Sequence, residues 1–152
     1  AGRLLPGVAE GQAWECLVGN LRAAAQVFSA LGIQVLCEAI NPLDMPGFLL
    51  NPPEQMLELL AAVDHPNLGL QLDLYHMARQ GLQLPAVIEQ LAGHIGHVQF
   101  ADCPGRGEPG TGQLDFRAAL SALLRTGYNG WLGAEYRPSG AAHLAWLERW
   151  RG

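Results

Sequence analysis

The segment LGLQLDLYH, residues 68–76, holds the pattern that decides the fold of this chain. Its first five residues, Leu68 to Leu72, are mostly apolar and have the length of a strand buried in a parallel sheet. Asp73 follows them directly, and His65-Pro66-Asn67 ends the helical stretch before them. This segment therefore predicts a short apolar strand with a polar residue at its carboxyl end.

Three other segments repeat this unit, at residues 33–37, 95–100 and 131–134. Between them lie stretches with apolar residues three and four positions apart, which is the spacing of a helix with one buried face. The stretch after the first strand is predicted to begin with Asn51 as its cap, and the stretch before the last strand with Asp115 as its cap. The order is one helix and then four strand–helix units, which predicts a parallel sheet with helices outside it.

Four such units amount to half of a (β/α)₈ TIM barrel, a fold that takes about 250 residues and seldom fewer than about 200. The chain has 152 residues, and no linker divides it. We therefore predict one region, residues 1–152, that is either half of a barrel or a small open-sheet α/β domain. Periodicity alone leaves both open. The first residue is Ala1 and not Met, which we interpret as processing or as a piece of a longer protein.

Composition excludes several classes of protein. The net charge is −5, and nine scattered basic residues do not supply the clustered phosphate contacts that nucleic acid needs. No apolar run approaches the roughly 18 to 20 residues of a membrane helix. The three cysteines, Cys16, Cys37 and Cys103, form no C-x-x-C pair, so we expect free thiols in a reducing compartment and a cytoplasmic protein.

The most informative residues stand where the predicted strands end: Glu38, Asp73, Gln99 and Glu135. The carboxyl ends of parallel strands meet at one edge of a sheet, where ligands bind. A single acid at such a place is commonly a helix cap or a solvated loop residue. Four oxygen donors in register instead predict a divalent cation, because clustered carboxylates repel one another without one. An all-oxygen set suits Mg²⁺ or Mn²⁺ better than Zn²⁺.

Two nearby features are candidates for binding a substrate. His76 stands three residues after Asp73 and is either a surface or capping histidine or a hydrogen-bond donor to substrate. The loop 104–112 is dense in glycine and proline, and it would bring Arg106 and Glu108 over the strand ends. A guanidinium group there suits carboxylate or ketone oxygens.

Six segments of the chain resemble the hydroxypyruvate isomerase family, which belongs to the xylose isomerase-like TIM barrels. They are residues 36–41 (LCEAIN), 45–48 (MPGF), 72–77 (LDLYHM), 96–99 (GHVQ), 104–112 (PGRGEPGTG) and 133–136 (GAEY). The likeness extends from about Trp14 to the end of the chain. The main departure in these segments is Ala39, where the family usually has proline.

The resemblance implies that the chain holds strands five to eight of a (β/α)₈ barrel. It further implies that Glu38, Asp73, Gln99 and Glu135 are metal ligands, and that Glu38 and Glu135 are also the acid/base pair. His76 and Arg106 would bind substrate oxygens, with Glu108 beside them. The reaction would interconvert hydroxypyruvate and 2-hydroxy-3-oxopropanoate through an enediolate, in glyoxylate metabolism, with a small hydroxy-keto acid as substrate.

Several rival functions stay open. A 2-oxo-tetronate isomerase or a ketose 3-epimerase is the nearest, although such epimerases usually have histidine at the position of Gln99. A metal-dependent DNA-repair nuclease on the same barrel would need several histidine ligands and a basic face, and the sequence offers neither. An inactive fragment is the third, because a half barrel exposes two strand edges and would pair with a missing N-terminal half or with a second copy.

Overall fold

A four-stranded parallel sheet forms the centre of the computed structural model, which describes residues 1–150 of the chain. The strands lie side by side in sequence order: β1 (Val35–Glu38), β2 (Leu68–Asp73), β3 (Ile95–Phe100) and β4 (Leu132–Ala134). All four predicted strands are therefore present. The last two residues of the predicted region, 151–152, lie outside the described residues.

The helices of the described residues alternate with these strands. They are α1 (Glu10–Ser29), α2 (Pro53–Val63), α3 (Leu74–Arg79), α4 (Leu84–Gln90), α5 (Phe116–Arg125) and α6 (Trp146–Trp150). Their apolar faces share one core with the sheet, in which Met56 of α2 and Ile88 of α4 are fully buried. Cys37 is buried there as well, as expected of a core thiol. The three cysteines are free thiols, which confirms that prediction. No helix within residues 1–150 is both long and apolar enough to cross a membrane.

Two helix starts differ from the sequence prediction. The cap of α2 is Pro52 and not Asn51, whose amide instead donates to the carbonyl oxygen of Ile40 at 2.8 Å. The short helix α3 was not predicted, and its cap is Asp73, which accepts a hydrogen bond from the Tyr75 N–H. Asp115 caps α5 as predicted, by accepting from the Ala118 N–H.

The outer edges of β1 and β4 have no neighbouring strand within residues 1–150. Apolar side chains stand exposed beside both edges: Ile33 before β1 is 52% exposed, and Trp131 before β4 is 84% exposed. Leu31, two residues after the end of α1, is also exposed, at 66%. A parallel sheet with open edges and strands in sequence order has the form of a partial (β/α) barrel.

The strand register brings the predicted site residues to one edge of the sheet. Glu38 at the end of β1 pairs with Gln71 of β2, and Asp73 at the end of β2 pairs with Gln99 of β3. Gln99 in turn pairs with Gly133 of β4, two residues before Glu135. The four predicted donors therefore follow one another around the carboxyl edge of the sheet.

Candidate metal and active site

Glu38 is the last residue of β1, and its two carboxylate oxygens have different surroundings. Oε2 accepts a hydrogen bond of 2.9 Å from Nε2 of Gln71. Oε1 is buried and has no hydrogen-bond partner within the described part of the chain. Burial, followed by the charge of Asp73, raises the pKa of Glu38 to about 7. One oxygen of this carboxylate is thus held in place while the other is free to bind a ligand.

The two carboxylate oxygens of Asp73 also have different surroundings. Its side chain is almost fully buried, and Oδ1 accepts from the Tyr75 N–H at 2.9 Å. Oδ2 lies 3.4 Å from Nη2 of Arg106 and 3.6 Å from Nε2 of His76. Burial raises the pKa of Asp73 to about 6, although the Tyr75 N–H and Arg106 act against that rise. Asp73 is therefore both a helix cap and a site residue.

His76 lies on α3 with its ring buried against these two acids. Its Nε2 is 3.9 Å from Oε1 of Glu38, and ligand atoms of Glu38, Asp73 and His76 all lie within 4.8 Å of one another. Burial, followed by the charge of Arg106, lowers the pKa of His76 to about 4. The imidazole is therefore neutral at pH 7.

Gln99 and Glu135 are the other two predicted donors. Each contacts a side chain that also contacts Glu38 or Asp73. Oε1 of Gln99 accepts from Nε2 of Gln71, the same nitrogen that donates to Glu38. Oε2 of Glu135 lies 2.8 Å from Nη2 of Arg106, which also approaches Asp73. The Glu135 side chain is half exposed, so it forms the open side of the site.

Arg106 reaches the site from the loop after β3. Its backbone is in the left-handed region, with φ of 55°, and its carbonyl oxygen accepts from the Arg137 N–H at 2.7 Å. The guanidinium lies over the ring of Tyr75, with 5.0 Å between its central carbon and the ring centroid. A stacked cation that contacts Asp73 and Glu135 together is well placed to orient a charged substrate.

Asp102 holds this loop in shape. Its carboxylate is buried and accepts from the N–H groups of Cys103 (2.9 Å), Gly110 (2.7 Å) and Leu114 (3.0 Å). Its own N–H donates to the Gly107 carbonyl at 2.9 Å. Three convergent N–H donors hold a carboxylate firmly, so Asp102 fixes the path of the loop that carries Arg106.

The sequence predicts that Glu108 lies over the strand ends and binds substrate, but its side chain contacts Ser139. Its carboxylate accepts from both the N–H (2.6 Å) and the hydroxyl (2.9 Å) of Ser139. The hydrogen bonds described for its side chain thus go to the segment after β4 and not to the acids at the strand ends. A role in joining these two loops follows from this geometry. A role in binding substrate stays a prediction.

A divalent cation fits the chemistry of this cluster. Oε1 of Glu38 is buried without a hydrogen-bond partner, and Oδ2 of Asp73 faces it across the cluster. Burial raises the pKa of both carboxyl groups, because their charge loses contact with water. Ligand atoms of Glu38, Asp73 and His76 lie close enough together to hold a cation. The ligand set that the resemblance implies, with Gln99 and Glu135 in place of His76, stays a prediction.

The sequence prediction missed two residues that organise the site. Gln71 stands two residues before Asp73, and the two-residue period of a strand puts both side chains on one face, so its part could have been read from the sequence. Asn41, whose side-chain nitrogen lies 2.7 Å from Nδ1 of His76, follows β1 in a loop and gave no such signal.

A partial barrel of parallel strands with acidic side chains at their carboxyl ends defines the class of this protein. The chain belongs to the xylose isomerase-like TIM barrel family, which matches residues 1–151. The predicted fold class is thereby confirmed, and so is the resemblance, since curated relatives bear the name hydroxypyruvate isomerase.

Two of these relatives illustrate the range of names. The chain is 40% identical to the hydroxypyruvate isomerase of Escherichia coli K12, over 99% of this chain and 59% of that protein. It is 36% identical to the 2-oxo-tetronate isomerase of Pectobacterium atrosepticum, over 90% of this chain and 53% of that protein. The chain thus spans a little over half the length of the curated relatives it matches.

Solved structures show the same fold. A protein of Brucella melitensis described as an AP endonuclease of family 2 matches with a TM-score of 0.90 and 36% identity, over 97% of this chain and 58% of that one. An L-ribulose 3-epimerase matches with a TM-score of 0.78 and 30% identity, over 91% of this chain and 45% of that one.

Proposed function

We propose that this chain supplies the reaction site of an isomerase that interconverts hydroxypyruvate and 2-hydroxy-3-oxopropanoate. The observation that supports this most directly is the convergence of Glu38 and Glu135, from the first and last strands of the sheet, on one cluster with Asp73, His76 and Arg106. The two relatives described above add support, because each is named as an isomerase of a small acid.

The reaction moves hydrogen within the substrate and needs no redox cofactor. A proton leaves C3 of hydroxypyruvate, and the electrons of that C–H bond form a C2–C3 double bond while the C2 carbonyl becomes an enediolate oxygen. A proton then returns to C2, the proton of the C3 hydroxyl passes to the oxygen on C2, and C3 becomes the aldehyde. The site must therefore accept and return protons at adjacent carbons.

Two carboxyl groups in different surroundings suit this task. Glu38 is mostly buried, and in the metal-free protein burial and the charge of Asp73 raise its pKa to about 7. Glu135 is half exposed and paired with Arg106. We assign Glu38 and Glu135 as the acid/base pair, with Glu38 on the buried side of the substrate.

Glu38, Asp73, Gln99 and Glu135 are the residues that would hold Mg²⁺ or Mn²⁺. When bound, the cation would supply Lewis-acid polarisation of the substrate's oxygens. These carboxylates also keep their own contacts, since Gln71 holds Oε2 of Glu38 and the Tyr75 N–H holds Oδ1 of Asp73.

Arg106 and His76 are assigned to substrate oxygens. Arg106 would pair with the carboxylate of the acid, a geometry for which guanidinium is the best-suited group. His76 would donate to an oxygen next to the reacting carbons. For Glu108 we propose the supporting role that its bonds to Ser139 indicate, which keeps the Arg106 loop against the segment after Glu135. A cytoplasmic location is part of the same proposal, in keeping with free thiols.

A 2-oxo-tetronate isomerase is the second candidate, and the relative from Pectobacterium atrosepticum favours it. Its substrate has one more carbon and needs the same proton transfer. A ketose 3-epimerase has weaker support, because Gln99 lies where such epimerases usually have histidine.

The test is an isomerisation assay on hydroxypyruvate beside four-carbon 2-oxo acids, each with and without EDTA. We expect turnover of hydroxypyruvate that EDTA abolishes and that Mg²⁺ or Mn²⁺ restores. Faster turnover of a four-carbon acid would move the assignment to the second candidate. No turnover of either class by the full-length protein, with both metals supplied, would refute the proposal.

A further inference from the structure

The side chain of Asn41 is fully buried, and it packs against the edge of the His76 ring that faces away from the acids. Its Nδ2 lies 2.7 Å from Nδ1 of His76. The backbone N–H of the same residue also points at that ring nitrogen, with 3.4 Å between the nitrogens. Two groups of one residue thus converge on Nδ1.

The orientation of the Asn41 amide is set by Asp44. The backbone N–H of Asp44 donates to Oδ1 of Asn41 at 2.8 Å, which fixes the oxygen on that side. The amide nitrogen donates to Oδ2 of Asp44 at 3.1 Å. Rotating the amide by half a turn would bring its oxygen against the Asp44 carboxylate and its NH₂ against an N–H, so both contacts would become repulsive. The nitrogen must therefore face His76.

This geometry decides where the histidine carries its proton. An N–H group of the amide and an N–H group of the backbone both donate towards Nδ1, so Nδ1 must be an acceptor without a hydrogen. The proton of the neutral ring then resides on Nε2. That atom lies 3.6 Å from Oδ2 of Asp73 and 3.9 Å from Oε1 of Glu38. The ring presents an N–H donor to the site.

We propose that Asn41 is a positioning residue that holds His76 as its Nε2–H tautomer, so that His76 donates to a substrate oxygen and does not bind the cation. The role in substrate binding rests on the proposed function, whereas the tautomer does not. This tautomer argues against His76 as a ligand and favours the predicted set with Gln99 and Glu135, because a protonated ring nitrogen has no lone pair for a metal.

Nuclear magnetic resonance tests the tautomer directly. Protein labelled with ¹⁵N-histidine is recorded at pH 7 with long-range correlations from the ring carbons' protons to the ring nitrogens, and His76 is assigned by its loss in His76→Gln. We expect a pyridine-type Nδ1 and a pyrrole-type Nε2. The opposite pattern in the unmodified protein overturns the proposal, and this measurement needs no variant at Asn41 to fold.

The second measurement repeats the spectrum after addition of Mg²⁺. We expect Nε2 to stay pyrrole-type at saturation while resonances near Glu38 and Asp73 shift. Loss of the Nε2 proton on metal addition would identify His76 as a ligand and refute the proposal. A protein that shows the expected tautomer but turns over neither class of acid would refute the proposed function alone.

Asn41→Asp makes the third arm, with Asn20→Asp on the exposed face of α1 as a charge-matched control. The introduced carboxylate can only accept, and it replaces the closer donor (2.7 Å) while the longer backbone contact (3.4 Å) is kept. Nδ1 of His76 should therefore gain a proton and become pyrrole-type, while the control leaves it unchanged. An Nδ1 that stays pyridine-type in a folded Asn41→Asp protein would show that Asn41 does not set the tautomer.

Discussion

The side-chain amide of Gln71 donates a hydrogen bond of 2.9 Å to Oε2 of Glu38, and the same nitrogen donates to Oε1 of Gln99. Gln71 thus links two of the proposed ligands from the strand between them. Outer residues of this kind orient metal ligands, and their loss commonly lowers metal affinity or activity about 10- to 100-fold.

Gln71→Leu should therefore weaken Mg²⁺ binding and lower kcat by about one to two orders of magnitude, because Glu38 and Gln99 lose their common donor. Calorimetric titration of Mg²⁺ and steady-state kinetics would measure both effects. Gln26→Leu on the exposed face of α1 is the matched control, and it should change neither. Equal metal affinity in Gln71→Leu and the unmodified protein would contradict the role of Gln71.

Glu38→Gln and Glu135→Gln should each lower kcat by at least about 100-fold while the fold survives, because each removes a group that exchanges protons with the substrate. Glu58→Gln on the exposed face of α2 removes an equal charge away from the site and should keep full activity. Circular dichroism checks the fold. Retention of most activity in either site variant would refute its assignment to the acid/base pair.

Arg106→Lys keeps the charge but loses the planar group that contacts Asp73 and Glu135 and stacks on Tyr75. A hydrogen bond between charged groups is worth about 1.5–3 kcal/mol, so we expect KM for the acid to rise roughly tenfold or more. Arg117→Lys, at an exposed position of α5, serves as the control. An unchanged KM with a lower kcat would instead assign Arg106 to the arrangement of the carboxylates.

The stability of the metal-free protein should fall as the pH rises from 6.5 to 8. The pKa of Glu38 is raised from 4.5 to about 7 in the folded state, so its contribution is complete below pH 4.5 and is lost as the pH rises through 7. Asp73, raised to about 6, acts in the same direction at lower pH. His76, lowered from 6.5 to about 4, adds stability as the pH rises between those values. Above pH 6.5 the effect of Glu38 therefore dominates.

Urea denaturation in EDTA would measure this loss, which we expect to be on the order of 1 kcal/mol over that range. The loss should be absent in Glu38→Gln. Mg²⁺ should stabilise the protein more at pH 8 than at pH 6.5, because a ligand must be deprotonated to bind. A free energy of unfolding that does not change with pH in EDTA would mean that Glu38 titrates normally.

The 152-residue chain by itself should associate, because both edge strands are open and Trp131 and Ile33 are exposed beside them. Size-exclusion chromatography should show species above 16.3 kDa. Trp131→Lys should reduce this association, since a charge beside an edge strand opposes pairing. A 16 kDa monomer of the unmodified chain with a cooperative melt would contradict this expectation.

The order of the elements and the row of polar residues at the strand ends followed from the sequence alone. Short apolar segments ending in Glu38, Asp73 and Glu135 are local patterns, and parallel strands must bring such ends to one edge of the sheet. Gln71 could have been added by the same two-residue period. The helix α3 was missed because Asp73 was taken only as a ligand, although its side chain also caps the turn that follows.

Only the tertiary structure decided how each group is used. The partners that distinguish one oxygen or nitrogen from another lie 31 to 35 positions apart in the chain: Gln71 with Glu38, Asn41 with His76, and Ser139 with Glu108. Strand register and loop paths bring them together, and no local pattern encodes such a pairing. The sequence therefore determined which donors gather at the strand ends. The fold determined which of their atoms are free for a cation or a substrate, because burial and hydrogen bonding act on single atoms.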